Sequence, residues 1–257
     1  MVGIFDSGLG GLSVLELALR TAELKNERFL YYADREHVPY GTKEQEQIIK
    51  YSINATDFLI SQGAKSVIVA CNTATSAAIA PLREHFKIPI IGMEPAIKPA
   101  LNATKSKALL LATPVTIAGK KLDNLIALTN NADNLIKVAL PKLVEFAENG
   151  EFASERLKEY LKAQLEKIGQ KVDSVVLGCT HFNYFKDTIL DVLEGVKFYD
   201  GNQGTINRLL NQITPEYHDV NTSTRVRYFY SSNEIKDKSE LAKISMLLDR
   251  LNLMSKI

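Results

Sequence analysis

Apolar residues fall into two alternating kinds of run along this chain. Short unbroken stretches occupy Val2–Phe5, Phe29–Ala33, Ser66–Ala70, Ile88–Ile91, Lys107–Ala112, Ile136–Ala139, Ser174–Gly178 and Val196–Tyr199. They are too short for helices, and several are rich in Val and Ile, the pattern of strands buried on both faces of a parallel sheet. Between them apolar residues recur at steps of three and four: Leu12, Leu15, Leu19 and Ala22; Ile48, Tyr51, Ala55, Phe58 and Leu59; Leu241, Ile244, Leu248 and Leu251. Those steps line one face of a helix, and Gly63 is placed to stop the second. The alternation predicts an α/β fold with parallel sheets and right-handed crossovers. One run departs from it. Thr224–Ser232 sets Val226, Tyr228 and Tyr230 against Arg225, Arg227 and Phe229, which predicts a half-exposed edge strand.

Two of the runs echo each other. "SVIVACNT" (66–73) and "SVVLGCT" (174–180) share Ser-Val, two apolar residues, a small residue, Cys and a nearby Thr. Each half also has an earlier strand ending in small polar residues, "GIFDSG" and "LLLATPVT". This predicts two similar lobes, each a mostly parallel sheet flanked by helices, with an active site in the cleft between them. Chance is the competing explanation, because buried strands draw on few residue types.

Composition narrows the partners. A chain of 257 residues has room for one large domain or two small ones with real cores. A net charge of +1 with no basic block argues against nucleic acid. No apolar stretch approaches the ~20 residues that span a bilayer, and "MVGIFDSG" lacks the pattern of a signal peptide. A cytoplasmic protein with no membrane partner is expected. Its two cysteines, Cys71 and Cys179, are not a disulfide framework.

In open parallel sheets ligands sit beyond the carboxyl ends of strands. Four predicted strand ends carry polar residues: Asp6-Ser7-Gly8, Cys71-Asn72-Thr73, Thr113 with Thr116, and Cys179-Thr180-His181. The loop His37–Gly41 adds Pro39, Tyr40 and Gly41. "GLGG" lacks the last glycine of a dinucleotide fingerprint, and no Walker pattern occurs, so a tight turn needing small residues is the better reading. No Cys pair has zinc-ligand or redox spacing, which disfavours a metal and a thioredoxin-like role. Acid–base chemistry by two thiols remains. A reaction that inverts a hydrogen-bearing stereocentre removes a proton from one face and returns one to the other. A thiol pKa of about 8.5 can be tuned toward working pH. Asp6 is placed to assist one thiol and His181 the other, while Asn72, Thr73 and Thr180 offer groups to an anionic substrate.

Together, "GIFDSGLGGLSVL", "VPYGTK", "VIVACNTATSA" and "VVLGCTHF" closely resemble the glutamate racemase family, whose wider relatives are cofactor-independent amino-acid racemases. The resemblance runs from residue 3 to near residue 200. It implies interconversion of L- and D-glutamate without metal, nucleotide or pyridoxal phosphate. It implies Cys71 as the base for D-glutamate, assisted by Asp6, and Cys179 as the base for L-glutamate, assisted by His181. The family's acidic residue falls on Glu148, with Glu145 the alternative. Substrate contacts carry over to Ser7, Pro39, Tyr40, Gly41, Asn72, Thr73, Thr113, Thr116 and Thr180. The family architecture implies one lobe of residues 1–93 plus 204–257 and a second of 94–203, with crossings near Glu94 and Gln203, and a homodimer. Two departures stand out. Asn183 replaces the proline that often follows the CTH motif, predicting a local change in the helix that follows. Pro114 separates the two threonines. A racemase of another acidic amino acid such as aspartate, or a non-catalytic amino-acid binder, are the alternatives.

Overall fold

The computed structural model of the chain describes residues 1–129, 131–219 and 225–257. The chain opens with β1 (Val2–Asp6), α1 (Leu12–Arg20), β2 (Phe29–Ala33), α2 (Gln45–Ser61), β3 (Ser66–Val69), α3 (Asn72–His85) and β4 (Ile90–Gly92). It continues with α4 (Ile97–Ala103), β5 (Ala108–Ala112), α5 (Pro114–Ala118), α6 (Lys120–Ala127) and β6 (Leu135–Ala139). Then come α7 (Lys142–Glu148), α8 (Glu155–Leu165), β7 (Ser174–Gly178), α9 (Lys186–Leu190) and β8 (Lys197–Asp200). The last elements are α10 (Asn202–Leu210), β9 (Val226–Tyr230), β10 (Asn233–Glu234) and α11 (Lys238–Met254). Each of the eight short apolar runs forms a strand, with ends within two residues of the expected ones. The periodic segments form α1, α2 and α11, although Ala22 lies beyond the end of α1. Gly63 follows α2 with φ +97°, the left-handed conformation that ends a helix cheaply only at glycine.

The strands make two sheets, ordered β10-β9-β2-β1-β3-β4 and β6-β5-β7-β8. The order 2-1-3-4 of the first recurs as 6-5-7-8 in the second, so β3 and β7, the strands of the sequence echo, are topological equivalents. All pairings are parallel except β9 with β10. The strand expected at the edge is therefore displaced inward. β9 pairs parallel with β2, and the two-residue β10 takes the edge. The cause is a tight turn at Ser231 and Ser232, both at positive φ (42° and 71°), which folds the chain back on itself. The alternation on β9 still holds: Phe229 is buried on one face, while Val226, Tyr228 and Tyr230 pack on the other. Thr224, the first residue of that expected run, lies outside the described residues.

Each sheet is covered on both faces, as unbroken apolar strands require. Leu30, Val67 and Val69 meet Ala55, Leu59, Ala74 and Ala78 of α2 and α3. Leu110 and Val176 of the second sheet meet Leu101 and Leu122 of α4 and α6. The remaining faces share one continuous core, in which Ile4 and Tyr31 join Leu12 and Leu15 of α1, Leu111, Leu177, Phe182 and Leu251 of α11. That shared core holds the two sets of strand ends against each other. Among the described residues, no helix is long and apolar enough to cross a membrane.

Candidate active site

The carboxyl ends of β1, β3, β5 and β7 converge. Asp6 ends β1 and is fully buried. It does not cap α1, whose first turn follows Gly11. Its Oδ1 accepts from Gly8 N at 2.9 Å, and its Oδ2 accepts from Thr180 Oγ1 at 3.0 Å, reaching across to the second lobe. Burial raises its pKa above the usual carboxylate value, with the nearby His181 opposing.

Cys71 follows β3 at the N-cap of α3. Its Sγ accepts from Ala74 N at 3.4 Å and lies 3.5 Å from Ser7 Oγ. A helix N-terminus favours a thiolate, but here burial wins. The thiol is pushed up to about 12, with the Asp6 carboxylate adding to the effect and the Cys179 thiol near enough to contribute. Asp6 therefore reaches Cys71 through its field, its oxygens being bonded to Gly8 and Thr180.

Cys179 follows β7 and opens a 3-10 turn over Thr180–Phe185. Its Sγ lies 3.8 Å from His181 Nδ1, and His181 Nε2 lies 2.7 Å from Glu148 Oε1. Leu9 N also donates to that oxygen, at 2.6 Å. Gly10 N sits 3.2 Å from the same Nε2. Nε2 cannot both donate to Glu148 and accept from Gly10, and the shorter contact to a carboxylate prevails. Burial would lower the His181 pKa, but bonding to Cys179 and Glu148 raises it well above the ordinary value. Burial likewise opposes ionisation of Glu148, yet His181, Leu9 N and Arg35 hold its pKa below normal. His181 and Glu148 thus favour an imidazolium–carboxylate pair. Glu145, the alternative acid, lies one turn earlier on α7, exposed, beside a separate surface cavity with Lys142, Phe146 and Arg156.

The threonines form one cluster. Thr73 Oγ1 lies 2.8 Å from Thr113 Oγ1 and 3.4 Å from Thr116 Oγ1, and the last two lie 2.9 Å apart. Thr113 caps α5, and Pro114 occupies its first position, where a missing N–H has no intrahelical use. Among the described residues Asn72 Oδ1 is buried without a partner, and Asn72 lines a small cavity with Ser76, Glu94, Thr116 and Lys121. Asn183 Nδ2 donates to Thr180 O at 3.1 Å, and the regular helix after the CTH motif starts only at Lys186.

Tyr40 and Gly41 sit in a 3-10 turn after Pro39, buried against the second lobe: a Cβ on Gly41 would fall 2.7 Å from Thr113 Cβ. Asp34 and Ser231, which the sequence reading passed over, hold this loop, and Arg35 beside them reaches the second lobe. Asp34 accepts from the Tyr40 hydroxyl, lies 2.9 Å from His37 Nδ1, and accepts from Ser231 Oγ at 3.1 Å. Arg35 Nε lies 3.5 Å from Glu148 Oε2. Asp34 was legible in principle, being the polar residue just beyond β2. Ser231 was not, since its role depends on a strand pairing between distant segments.

The glycines of "GLGG" receive a definite role. A Cβ on Gly8 would lie 2.1 Å from Glu148 Oε1, and one on Gly10 would lie 2.4 Å from His181 Nδ1. They allow the first lobe's turn to abut the second lobe's His181 and Glu148. The strand ends are drawn close over the thiols, and Cys71 and Cys179 are each 6% exposed. Two thiols, a carboxylate on one side and an imidazole–carboxylate pair on the other suit proton transfer at two faces of one carbon.

The sequence matches the family described as Asp/Glu/hydantoin racemase over residues 10–209. A glutamate racemase of Campylobacter concisus (strain 13826) is 51% identical over 261 residues, covering 100% of this chain and 99% of that protein. A glutamate racemase of Campylobacter curvus (strain 525.92) is 50% identical over 265 residues, with coverage of 100% and 99%. Among solved structures, Escherichia coli glutamate racemase in complex with L-glutamate and the activator UDP-MurNAc-Ala superposes with a TM-score of 0.81. It shares 30% identity, covering 97% of this chain and 94% of that one.

Proposed function

We infer the reaction from one premise: the chain belongs to the Asp/Glu/hydantoin racemase family. The reading is a glutamate racemase, an isomerase that interconverts L- and D-glutamate by proton transfer at the α carbon without a cofactor. Cys71 takes the proton of D-glutamate while the Cys179 thiol supplies one to the opposite face, and the roles exchange for L-glutamate. Each turnover consumes one thiol proton and regenerates one on the other sulfur, so atoms and charge balance.

The observation that carries this is the pair of differently attended thiols at equivalent strand ends. Cys179 has His181 at 3.8 Å, backed by Glu148, which sets an imidazolium beside the sulfur that exchanges the proton. Cys71 has the α3 N-terminus but also burial and a carboxylate, which hold its proton on. A substrate ammonium bound between Cys71 and Asp6 would ease that ionisation by supplying the missing positive charge. Ser7, Asn72, Thr73 and Thr180, the threonine pair Thr113 and Thr116, and the Pro39–Gly41 loop are the proposed substrate contacts. The N–H groups at the start of α3 favour a carboxylate. The names of the relatives support glutamate over aspartate. Supplying D-glutamate for peptidoglycan, a cytoplasmic location and a homodimer belong to the same reading.

The test is to incubate the protein with L-glutamate, and separately L-aspartate, in buffer free of metal and pyridoxal phosphate, and to follow circular dichroism. Glutamate should lose its signal to zero as the racemate forms. A constant signal with glutamate would sink the reading, and a faster loss with aspartate would change the substrate.

A further inference from the structure

We propose that Arg35 is a positioning residue for the Cys179 half of the reaction, holding the Glu148 carboxylate against His181 from the opposite lobe. The proposal rests on the two-thiol reading above. Glu148 Oε1 is engaged by His181 Nε2 at 2.7 Å and Leu9 N at 2.6 Å. Its Oε2 is buried and, among the described residues, has no hydrogen-bond partner. A buried carboxylate oxygen in that state is costly unless a charge meets it. Arg35 Nε lies 3.5 Å away and, besides His181, is the cation within ion-pair distance among the described residues.

The arginine is aimed there by its surroundings. Its guanidinium lies 4.9 Å from the centre of the Tyr230 ring, a cation–π contact with β9. Its backbone leaves the end of β2 between two fixed points, with Asp34 N donating to Asp6 O at 3.0 Å and Glu36 N to Ser231 Oγ at 3.0 Å. The turn that supplies Ser231 runs at positive φ without glycine, a conformation retained only where the surroundings hold it. The groups facing the pair are His181 and Cys179 of the second lobe, Asp6 of β1, Tyr31 of β2, Tyr184, Tyr230 and, beside it, Glu240 of α11. Burial raises the three tyrosine hydroxyls, so they stay protonated.

Without the guanidinium, Glu148 loses a charge that keeps it ionised and, among the described residues, its one tether on the Oε2 side. It is then free to turn from His181, whose Nδ1 is no longer held toward Cys179. Cys71 depends on it less: its direct partners are Ser7 and Ala74 N, and the second lobe reaches it only through the fields of Asp6 and Cys179. Arg35 therefore acts mainly on the Cys179 face.

The equilibrium constant between enantiomers is unity, so kcat/KM must fall equally in both directions, and rates alone cannot show which face is affected. Isotope effects can. The experiment compares wild type, Arg35→Met and Arg35→Lys, using α-protio and α-deutero L- and D-glutamate across pH. Arg35→Met should lower kcat/KM about tenfold and move the acid limb of its pH profile upward, as Glu148 becomes harder to ionise. The deuterium effect on kcat/KM should rise with L-glutamate and fall with D-glutamate, because the Cys179 step becomes more limiting. Arg35→Lys should restore most of the rate, the contact being a charge at 3.5 Å and not a bidentate fork. Isotope effects that stay put or move together, or a loss that lysine does not rescue, would overturn the proposal. Wild type that racemises glutamate beside an unaltered Arg35→Met would overturn the proposal alone. Wild type inert toward glutamate would overturn the functional reading and the proposal with it.

Discussion

Gly10→Ala tests whether the fit of the two strand ends governs activity. The backbone at Gly10 is not left-handed, so alanine brings no conformational strain, and the whole cost is collision. The new methyl carbon would lie 2.4 Å from His181 Nδ1, 2.5 Å from Thr180 Oγ1 and 2.6 Å from His181 N. Ordinary contact begins at 3.4 Å, so the two sides must separate by about 1 Å. Rotating the imidazole does not relieve it, because one of the three atoms is backbone. A misplacement of that size costs about a hundredfold in rate, and overpacking of this kind costs about 1–3 kcal/mol in stability. Steady-state kinetics and thermal unfolding read the two effects. Gly204→Ala is the control: nothing lies within 4 Å of its added carbon, and it sits in α10. It should keep activity and gain about 0.5–1 kcal/mol of stability. Wild-type kcat/KM in Gly10→Ala would refute the argument that lobe contact at His181 sets the chemistry.

Cys71→Ser and Cys179→Ser should each abolish racemisation, since each removes the base for one face; near-normal turnover in either would count against paired bases. In Cys179→Ser the remaining thiol, pushed up to about 12, should be alkylated about tenfold faster for each pH unit added well below that value. A plateau near neutral pH would contradict the burial argument. Asp6→Asn should raise the melting temperature at alkaline pH while reducing activity. The folded-state pKa of Asp6 is raised, so its contribution to stability is present at low pH and is lost as pH rises through that value. An asparagine removes the titration, and a variant less stable than wild type at high pH would show the sign to be wrong.

The strands were legible because burial on both faces leaves unbroken Val- and Ile-rich runs, whereas helices space their apolar residues three and four apart. The repeated Cys-containing run marked two equivalent strands before their shared 2-1-3-4 order was visible. Asp6, Cys71, Cys179 and His181 were legible as polar residues just past such runs. What escaped was long-range. Asp34, Arg35 and Ser231 matter through contacts between segments far apart in the chain, and β9 lost its edge position to a serine turn that no turn composition announces. Glu148 and Glu145 share one short helix at a spacing that puts them on the same side, and only which end of that helix abuts the other lobe separates the residue touching His181 from the exposed one.

The central claim is two bases on opposite faces of one carbon. It is met most directly by reacting L-glutamate in D2O and analysing both enantiomers at low conversion. The account predicts that newly formed D-glutamate carries deuterium at the α carbon while recovered L-glutamate remains unlabelled. D-glutamate that retains the substrate's own hydrogen would mean a single base serving both faces, and would contradict it.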